Sequence, residues 1–88
     1  MPVVKLYANL RSVTGKSEIN LPASSIHELL DRLIHDFPDL QRFLLENGKL
    51  RPRVIITLNG QPLDPAAGQE IPVADQDQVA IFPPVAGG

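Results

Sequence analysis

Few side chains in this 88-residue sequence have the type and spacing of an internal active site. His27 and His35 are eight residues apart on one predicted helix, and a rise of about 12 Å is too long for both to bind one metal ion. No glycine-rich phosphate loop is present, and no serine has a histidine and an acid at a suggestive spacing. The lack of cysteine excludes disulfides, thiolate metal sites and a cysteine nucleophile. We therefore expect no metal site, no cofactor bound by the chain itself and no catalytic group of its own.

The C-terminal end is the remaining candidate for chemistry. Pro83-Pro84 is stiff and extended, and the six residues 83–88 span at most about 20 Å. Gly87 and Gly88 have no side chains, so they can pass through a channel that would reject a Cβ atom. An end that simply frays into small residues is the ordinary alternative. We predict a folded domain over residues 1–82 and a flexible tail over residues 83–88.

The reactive group of such a tail would be the α-carboxylate of Gly88. A C-terminal carboxyl group has an unperturbed pKa of about 3.3–3.7, so it is an anion near neutral pH and a poor electrophile. Adenylation by ATP would turn one oxygen into part of a good leaving group. A sulfur donor could then replace the adenylate and leave a thiocarboxylate. The chain would supply only a carboxylate and a recognition surface.

Composition limits the partners that we expect. Hydrophobic residues make up 43% and charged residues 20%, which is typical of a folded domain rather than a disordered one. The net charge is −2 and no basic stripe is present, so nucleic-acid binding has little electrostatic support. No apolar run approaches the roughly 20 residues that span a bilayer, and no targeting signal is found. We expect a cytoplasmic protein without membrane contact.

The first half of the sequence predicts a hairpin and a helix. Residues 3–9 and 17–21 alternate as half-buried strands do, with a turn predicted over residues 11–16. Ser25 followed by Glu28 matches a capping box, and Pro38 ends the helix at Phe37. One face of this helix is apolar, and it comprises Ile26, Leu29, Leu30, Leu33, Ile34 and Phe37.

The second half predicts a short helix followed by strands. Residues 39–46 favour the helix, and Asn47-Gly48 ends it. The β-branched run over residues 54–58 indicates a central strand, and Asn59-Gly60 is a strong turn signal. A short edge segment follows around residues 61–63, and residues 64–77 are predicted as loop. Residues 78–82 form the last strand, which Pro83-Pro84 ends.

This order of elements favours an α+β fold with a mixed sheet of four to five strands. One main helix would cover one face of the sheet, with a short second helix beside it, which is the β-grasp (ubiquitin-like) arrangement. The resemblance to that fold implies that the first and last strands lie side by side and parallel at the centre.

Several segments resemble the MoaD/ThiS sulfur-carrier family over nearly the whole chain. The ending from Val79 to Gly88, Val-Ala-Ile-Phe-Pro-Pro-Val-Ala-Gly-Gly, is most similar to that of the small subunits of molybdopterin synthase. The opening from Val4 to Arg11 resembles the first strand of the family and its following turn, and residues 46–50 and 58–60 also fit. Asp75-Gln76-Asp77 departs from the family, which often has glycine in the middle, and Arg51-Pro52-Arg53 suggests no role.

The resemblance implies which residues carry the function. Gly88 matches the position that forms the thiocarboxylate. Phe82 and Tyr7 match apolar positions on the sheet face that meets partners, and packing of these two rings against each other is the alternative. The tail that partners would accept comprises Pro83, Pro84, Val85, Ala86 and Gly87.

The resemblance also implies three protein partners. They are an adenylating enzyme of the ubiquitin-activating type, which would use ATP on Gly88, a sulfur donor protein, and the large catalytic subunit of molybdopterin synthase. The tail alone leaves other carriers open, for cysteine, thiamin or tRNA thiolation. A protein modifier that forms isopeptide bonds through Gly88 and an interaction module with an inert tail are further alternatives.

Overall fold

The computed structural model describes residues 1–51, 53–63 and 71–83. Along these residues the elements are, in order, β1 (Val3–Leu6), α1 (Asn9–Thr14), β2 (Glu18–Asn20), α2 (Ile26–Asp36), a 3₁₀ turn (Pro38–Leu40), α3 (Gln41–Leu44), β3 (Leu45–Glu46), β4 (Lys49–Leu50), β5 (Ile55–Leu58), β6 (Gln61–Pro62) and β7 (Gln78–Phe82).

Five of these strands form one mixed sheet in the order β2-β1-β7-β5-β6, and β3 pairs with β4 separately. β1 and β7 are parallel, with Leu6 opposite Ile81, and every other pairing in the sheet is antiparallel. The predicted parallel pairing of the first and last strands is therefore confirmed. β5 is an interior strand, as its β-branched residues indicated, although it begins at Ile55 rather than at residue 54.

The core lies between α2 and one face of this sheet. Val4, Leu6, Val79 and Ile81 alternate inward from the two parallel strands and are at most 1% exposed. They pack in one cluster with buried residues of α2 and of the short helices, which include Leu10, Ile26, Leu29, Leu30, Leu33, Leu40 and Leu44. A mixed sheet covered on one face by a main helix is the predicted β-grasp fold.

The start of α2 is capped as the sequence indicated, with one difference. The Ser25 hydroxyl accepts a hydrogen bond from the Glu28 backbone N–H at 3.1 Å. The Glu28 carboxylate, however, accepts from the backbone N–H of Ser24 at 2.8 Å, one residue before the N-cap. Both interactions satisfy donors near a helix start that have no partner within the helix.

The predicted turn over residues 11–16 is wrong, because residues 9–14 form α1. Leu10 is fully buried, which anchors this short helix to the core. The glycine signal that suggested a turn comes from the helix C-cap: Gly15 has φ 74° and its N–H donates to the Arg11 carbonyl at 2.8 Å. Left-handed geometry of this kind favours glycine at a helix end. The strand predicted over residues 3–9 consequently ends at Leu6.

The second helix is shorter than predicted. Residues 38–44 are helical, but Leu45–Glu46 pairs with Lys49–Leu50 as a two-stranded hairpin. Asn47 and Gly48 have φ of 55° and 79°, the positive values of a two-residue hairpin turn. The Asn-Gly signal was therefore informative about a turn, although it joins two strands rather than ending a helix.

Candidate functional site

The last described residue, Pro83, directly follows β7, the central strand of the sheet. β7 lies between β1 and β5, and it is paired with β1 up to Ile81 and with β5 up to Phe82. Pro83, the first residue of the predicted tail, is buried. The other predicted tail residues, Pro84 to Gly88, lie outside the described residues. The sheet therefore fixes the point from which the sequence continues toward Gly88.

An aromatic pair lies at this end of β7, on the sheet face opposite α2. The rings of Tyr7 and Phe82 stack with centroids 4.5 Å apart and an angle of 11° between their planes. The parallel register explains the contact, because Leu6 lies opposite Ile81 and the next residue of each chain follows on the outer face. Tyr7 is 39% exposed and Phe82 is half-buried. The two rings contact each other and still present apolar surface to solvent.

Ile55 extends this surface across a third strand. It lies opposite Phe82 in the antiparallel pairing of β5 with β7, and it is 52% exposed. Tyr7, Phe82 and Ile55 thus form a row across β1, β7 and β5, which we call the apolar row. An exposed apolar patch of this kind marks interaction surfaces more often than chance exposure does. Sequence reasoning missed Ile55, although its alternation with the buried Ile56 was a usable signal.

The opposite end of β7 is fixed by a polar network between two turns. The Asp77 carboxylate accepts from the Ala74 backbone N–H at 2.8 Å and from the Asn59 side-chain amide at 3.0 Å. The Asn59 amide oxygen in turn accepts from the Gln78 N–H at 2.9 Å. The bond from Ala74, and then that from Asn59, lowers the pKa of Asp77 below its usual 3.8. Asp77 therefore organises the turn with glutamine, not glycine, at position 76.

The described residues form no group of three or more His, Asp or Glu side chains that could hold a metal ion. His27 lies 3.2 Å from Asp31 one helical turn away, and both side chains are more than half exposed. Among the side chains that the structure describes, no polar or charged residue is buried. Among the same residues, no helix is long and apolar enough to cross a membrane.

A family model described as the ThiS family matches residues 4–88 of this sequence. The chain belongs to the ThiS family. The predicted resemblance is confirmed over nearly the whole length of the chain, and the match includes the Gly-Gly end.

The relatives of this ThiS-family chain include carriers and modifiers. It is 30% identical over 88 residues to small archaeal modifier protein 3 of Haloferax volcanii, covering 97% of this chain and 96% of that protein. It is 31% identical over 88 residues to the molybdopterin synthase sulfur carrier subunit of Arabidopsis thaliana, covering 97% of this chain and 80% of that protein. The crystal structure of the Amycolatopsis orientalis BexX/CysO complex contains a chain that is 25% identical, with a TM-score of 0.85 and complete coverage of both chains. The family is therefore one of sulfur carriers and ubiquitin-like modifiers.

Proposed function

We propose that this protein carries sulfur on the carboxyl group of Gly88, for the synthesis of molybdopterin. The observation that carries the proposal is the position of β7. This strand is paired with β1 up to Ile81 and with β5 up to Phe82, and only four residues separate it from a Gly-Gly end that the family match includes. The relative from Arabidopsis thaliana, a molybdopterin synthase sulfur carrier subunit, supports this pathway.

The proposed reaction has two steps, both performed in the active site of a partner. A carboxylate oxygen of Gly88 attacks the α-phosphorus of ATP, forms an acyl adenylate and releases pyrophosphate. Hydrosulfide then attacks the carbonyl carbon and expels AMP. With hydrosulfide, the remaining proton goes to solvent and the product is a thiocarboxylate. The chain itself contributes the carboxylate and the residues that partners recognise.

The apolar row is the proposed contact for these partners. Tyr7 and Phe82 lie at the end of the sheet from which the sequence continues to Gly88, so a partner that accepts Gly88 must approach this edge. Interfaces gain much of their affinity from a few buried aromatic and apolar side chains. The adenylating enzyme and the large subunit of molybdopterin synthase would contact the same row in turn, because one tail cannot enter two active sites together.

Intact-mass measurement tests the carrier function. The protein is incubated with ATP, sulfide and the adenylating enzyme, and we expect the mass change of one oxygen replaced by sulfur. A variant that lacks Gly88 is the control and should keep its mass. Sulfur carriage would be contradicted if the mass of the intact chain stayed unchanged while the same adenylating enzyme preparation was active on another carrier protein. Co-purification with a large molybdopterin synthase subunit would assign the pathway, whereas a different acceptor would assign cysteine, thiamin or tRNA thiolation.

Protein modification is the second candidate, favoured by the 30% identity to small archaeal modifier protein 3. In that case a lysine amine would attack the activated Gly88 and form an isopeptide bond. Conjugates of higher mass on a denaturing gel, absent after deletion of Gly88, would support this reading. Their absence in cells where the thiocarboxylate is found would exclude it.

A further inference from the structure

The segment of residues 42–53 has an unusual charge for this chain. It holds four of the eight lysines and arginines and only one of the ten acidic residues. In the rest of the sequence, acidic residues outnumber basic ones by nine to four. The net negative chain therefore carries one concentrated positive segment, which contains the Arg51-Pro52-Arg53 motif.

Two arginines of this segment are held next to each other. The Arg51 side-chain Nε–H donates to the Arg42 backbone carbonyl at 3.1 Å, and the Arg51 backbone N–H donates to the Leu44 carbonyl at 2.8 Å. The Arg42 guanidinium lies 5.1 Å from the centroid of the Phe43 ring, within the range of a cation–π contact. We call Arg42 and Arg51 the arginine pair.

The arginine pair is available to an outside anion. Arg42 is exposed and Arg51 is half-exposed. Neither guanidinium forms an ion pair with any residue in the described part of the chain. The bond through Nε of Arg51 leaves its two terminal nitrogens free to contact a carboxylate, with the planar group already oriented. Less side-chain entropy is lost when such a group binds than when a mobile side chain is ordered.

The position of the pair links it to the end of β7. The Arg51 carbonyl accepts from the Val54 N–H at 3.1 Å, so a turn leads directly into β5. β5 is antiparallel to β7, and Ile55 lies opposite Phe82. Arg51 is four residues before Ile55, which is at most about 14 Å of chain. A partner that receives Gly88 has its active site within about 20 Å of Phe82. Such a partner must therefore cover the end of the sheet where Phe82 and Ile55 lie, close to Arg51.

We infer that the arginine pair is a docking site for carboxylates on the enzyme that adenylates Gly88. The inference rests on the proposed function and adds a charged contact beside the apolar row. An acidic protein surface fits better than a nucleic acid, because the rest of the chain has an excess of acids that would repel a phosphate backbone. Charges at the rim of an interface act mainly on the association rate and on its salt dependence.

The first test measures association of the full-length protein with the adenylating enzyme by stopped-flow fluorescence at low and high salt. We expect Arg42→Gln and Arg51→Gln each to slow association about threefold at low salt, and the double variant about tenfold. The deficit should shrink at high salt because exposed charges are screened. Arg32→Gln, the same change on the exposed part of α2, is the matched control and should change the rate less than twofold.

One further variant and one stability measurement separate charge from structure. Arg51→Lys keeps the positive charge but removes the Nε hydrogen bond to Arg42, and we expect it to retain most of the association rate. Arg42→Gln removes only an exposed cation–π contact with Phe43, so its melting temperature should change little. A rate deficit in Arg32→Gln equal to that in Arg42→Gln would overturn the inference, since only net charge would then matter.

The second test does not depend on the proposed function. Amide shifts of the full-length protein are followed by NMR during titration with a capped hexaglutamate peptide, with hexaglutamine as the uncharged probe. We expect shifts around Arg42 and Arg51 that the double variant removes. Shifts equally large around Arg32, or tighter binding of a single-stranded oligouridylate to the pair, would overturn docking of an acidic protein. If the intact chain gains no sulfur but these shifts are found, the proposed function fails and the docking site stands.

Discussion

At the scale of single residues, the rings of Tyr7 and Phe82 stabilise the fold by stacking and also present apolar surface to solvent. Stacking contributes about 0.5–1.5 kcal/mol beyond simple burial. The same pair leaves Tyr7 with 39% of its surface exposed at the end of β1. Stability and the proposed partner binding should therefore both depend on the ring, and two substitutions test this dependence.

Tyr7→Ala should lower the free energy of unfolding by about 1 kcal/mol, because the stacked contact is lost. It should also weaken binding to the adenylating enzyme by about fivefold or more, since exposed aromatic residues are frequent anchors of interfaces. Chemical denaturation and calorimetric titration measure the two effects. Tyr7→Phe keeps the ring and should behave like the unmodified protein; a loss of binding in that variant would assign the effect to the hydroxyl instead.

Asp77 provides a pH-dependent contribution to stability. Its pKa is lowered in the folded state by the Ala74 and Asn59 hydrogen bonds, so the charged carboxylate is favoured by folding. The contribution is complete above the unfolded pKa of about 3.8 and is lost as the pH falls through the lower folded value. The melting temperature of Asp77→Asn should therefore lie below that of the unmodified protein at neutral pH, with the difference shrinking below pH 3.8.

Asp75→Asn is the matched control, because it removes the same charge two residues away. Asp75 lies 3.8 Å from the N-terminal amine, and both groups are largely exposed. Exposed pairs of this kind contribute little, so we expect a small change in melting temperature. Equal losses in both variants at neutral pH would show that net charge, rather than the network at Asp77, is responsible.

At the scale of elements, the cap of α2 stabilises the helix that covers the sheet. Ser25→Ala removes the acceptor of the Glu28 N–H, and we expect a loss of about 1 kcal/mol in the free energy of unfolding. Urea denaturation measures this loss. Ser12→Ala, at an exposed position inside α1, is the control and should not destabilise, because alanine favours helix interiors. Equal stability of both variants would show that the cap contributes nothing.

The junction between β1 and α1 carries backbone strain. Ala8 has φ 53° and ψ −129°, a region that glycine adopts far more readily than alanine. Such a residue costs on the order of 1–3 kcal/mol. Ala8→Gly should therefore raise the melting temperature, although the greater freedom of glycine in the unfolded chain offsets part of the gain. Ala23→Gly is the same substitution at a residue without a positive φ. It should lower the melting temperature, as most Ala→Gly changes do.

At the scale of the whole molecule, we expect folding and the proposed carrier function to be separable. Among the described residues, the hydrophobic cluster between α2 and the sheet extends no further along the chain than Ile81, and the proposed reacting group of Gly88 is seven residues further along. Adding one alanine after Gly88 should abolish thiocarboxylate formation, because the new end would occupy the position of the reacting carboxyl group. The melting temperature should stay unchanged. Loss of folding in this variant would contradict a tail that is independent of the domain.

The pattern of local residues was sufficient to predict much of this fold. Alternation indicated β1 and β7, a helical apolar face and Ser25 with Glu28 indicated α2, and Asn59-Gly60 marked the turn between β5 and β6. These signals depend on residues that are neighbours in sequence, so they can be recognised without knowledge of the tertiary structure. The Gly-Gly end was predicted to be the reacting end in the same way, from residue types and chain order, and it stays a prediction.

The tertiary structure decided which residues share the edge of the sheet. The apolar row needs the register of β1 and β5 on β7, and the Asp77 network joins residues 18 positions apart. The arginine pair depends on a bond across the hairpin of β3 and β4. α1 was missed because six residues carry little periodic signal, and burial of Leu10 in a core formed by distant segments holds it. Pairings of distant segments are set by packing, which local sequence patterns do not record.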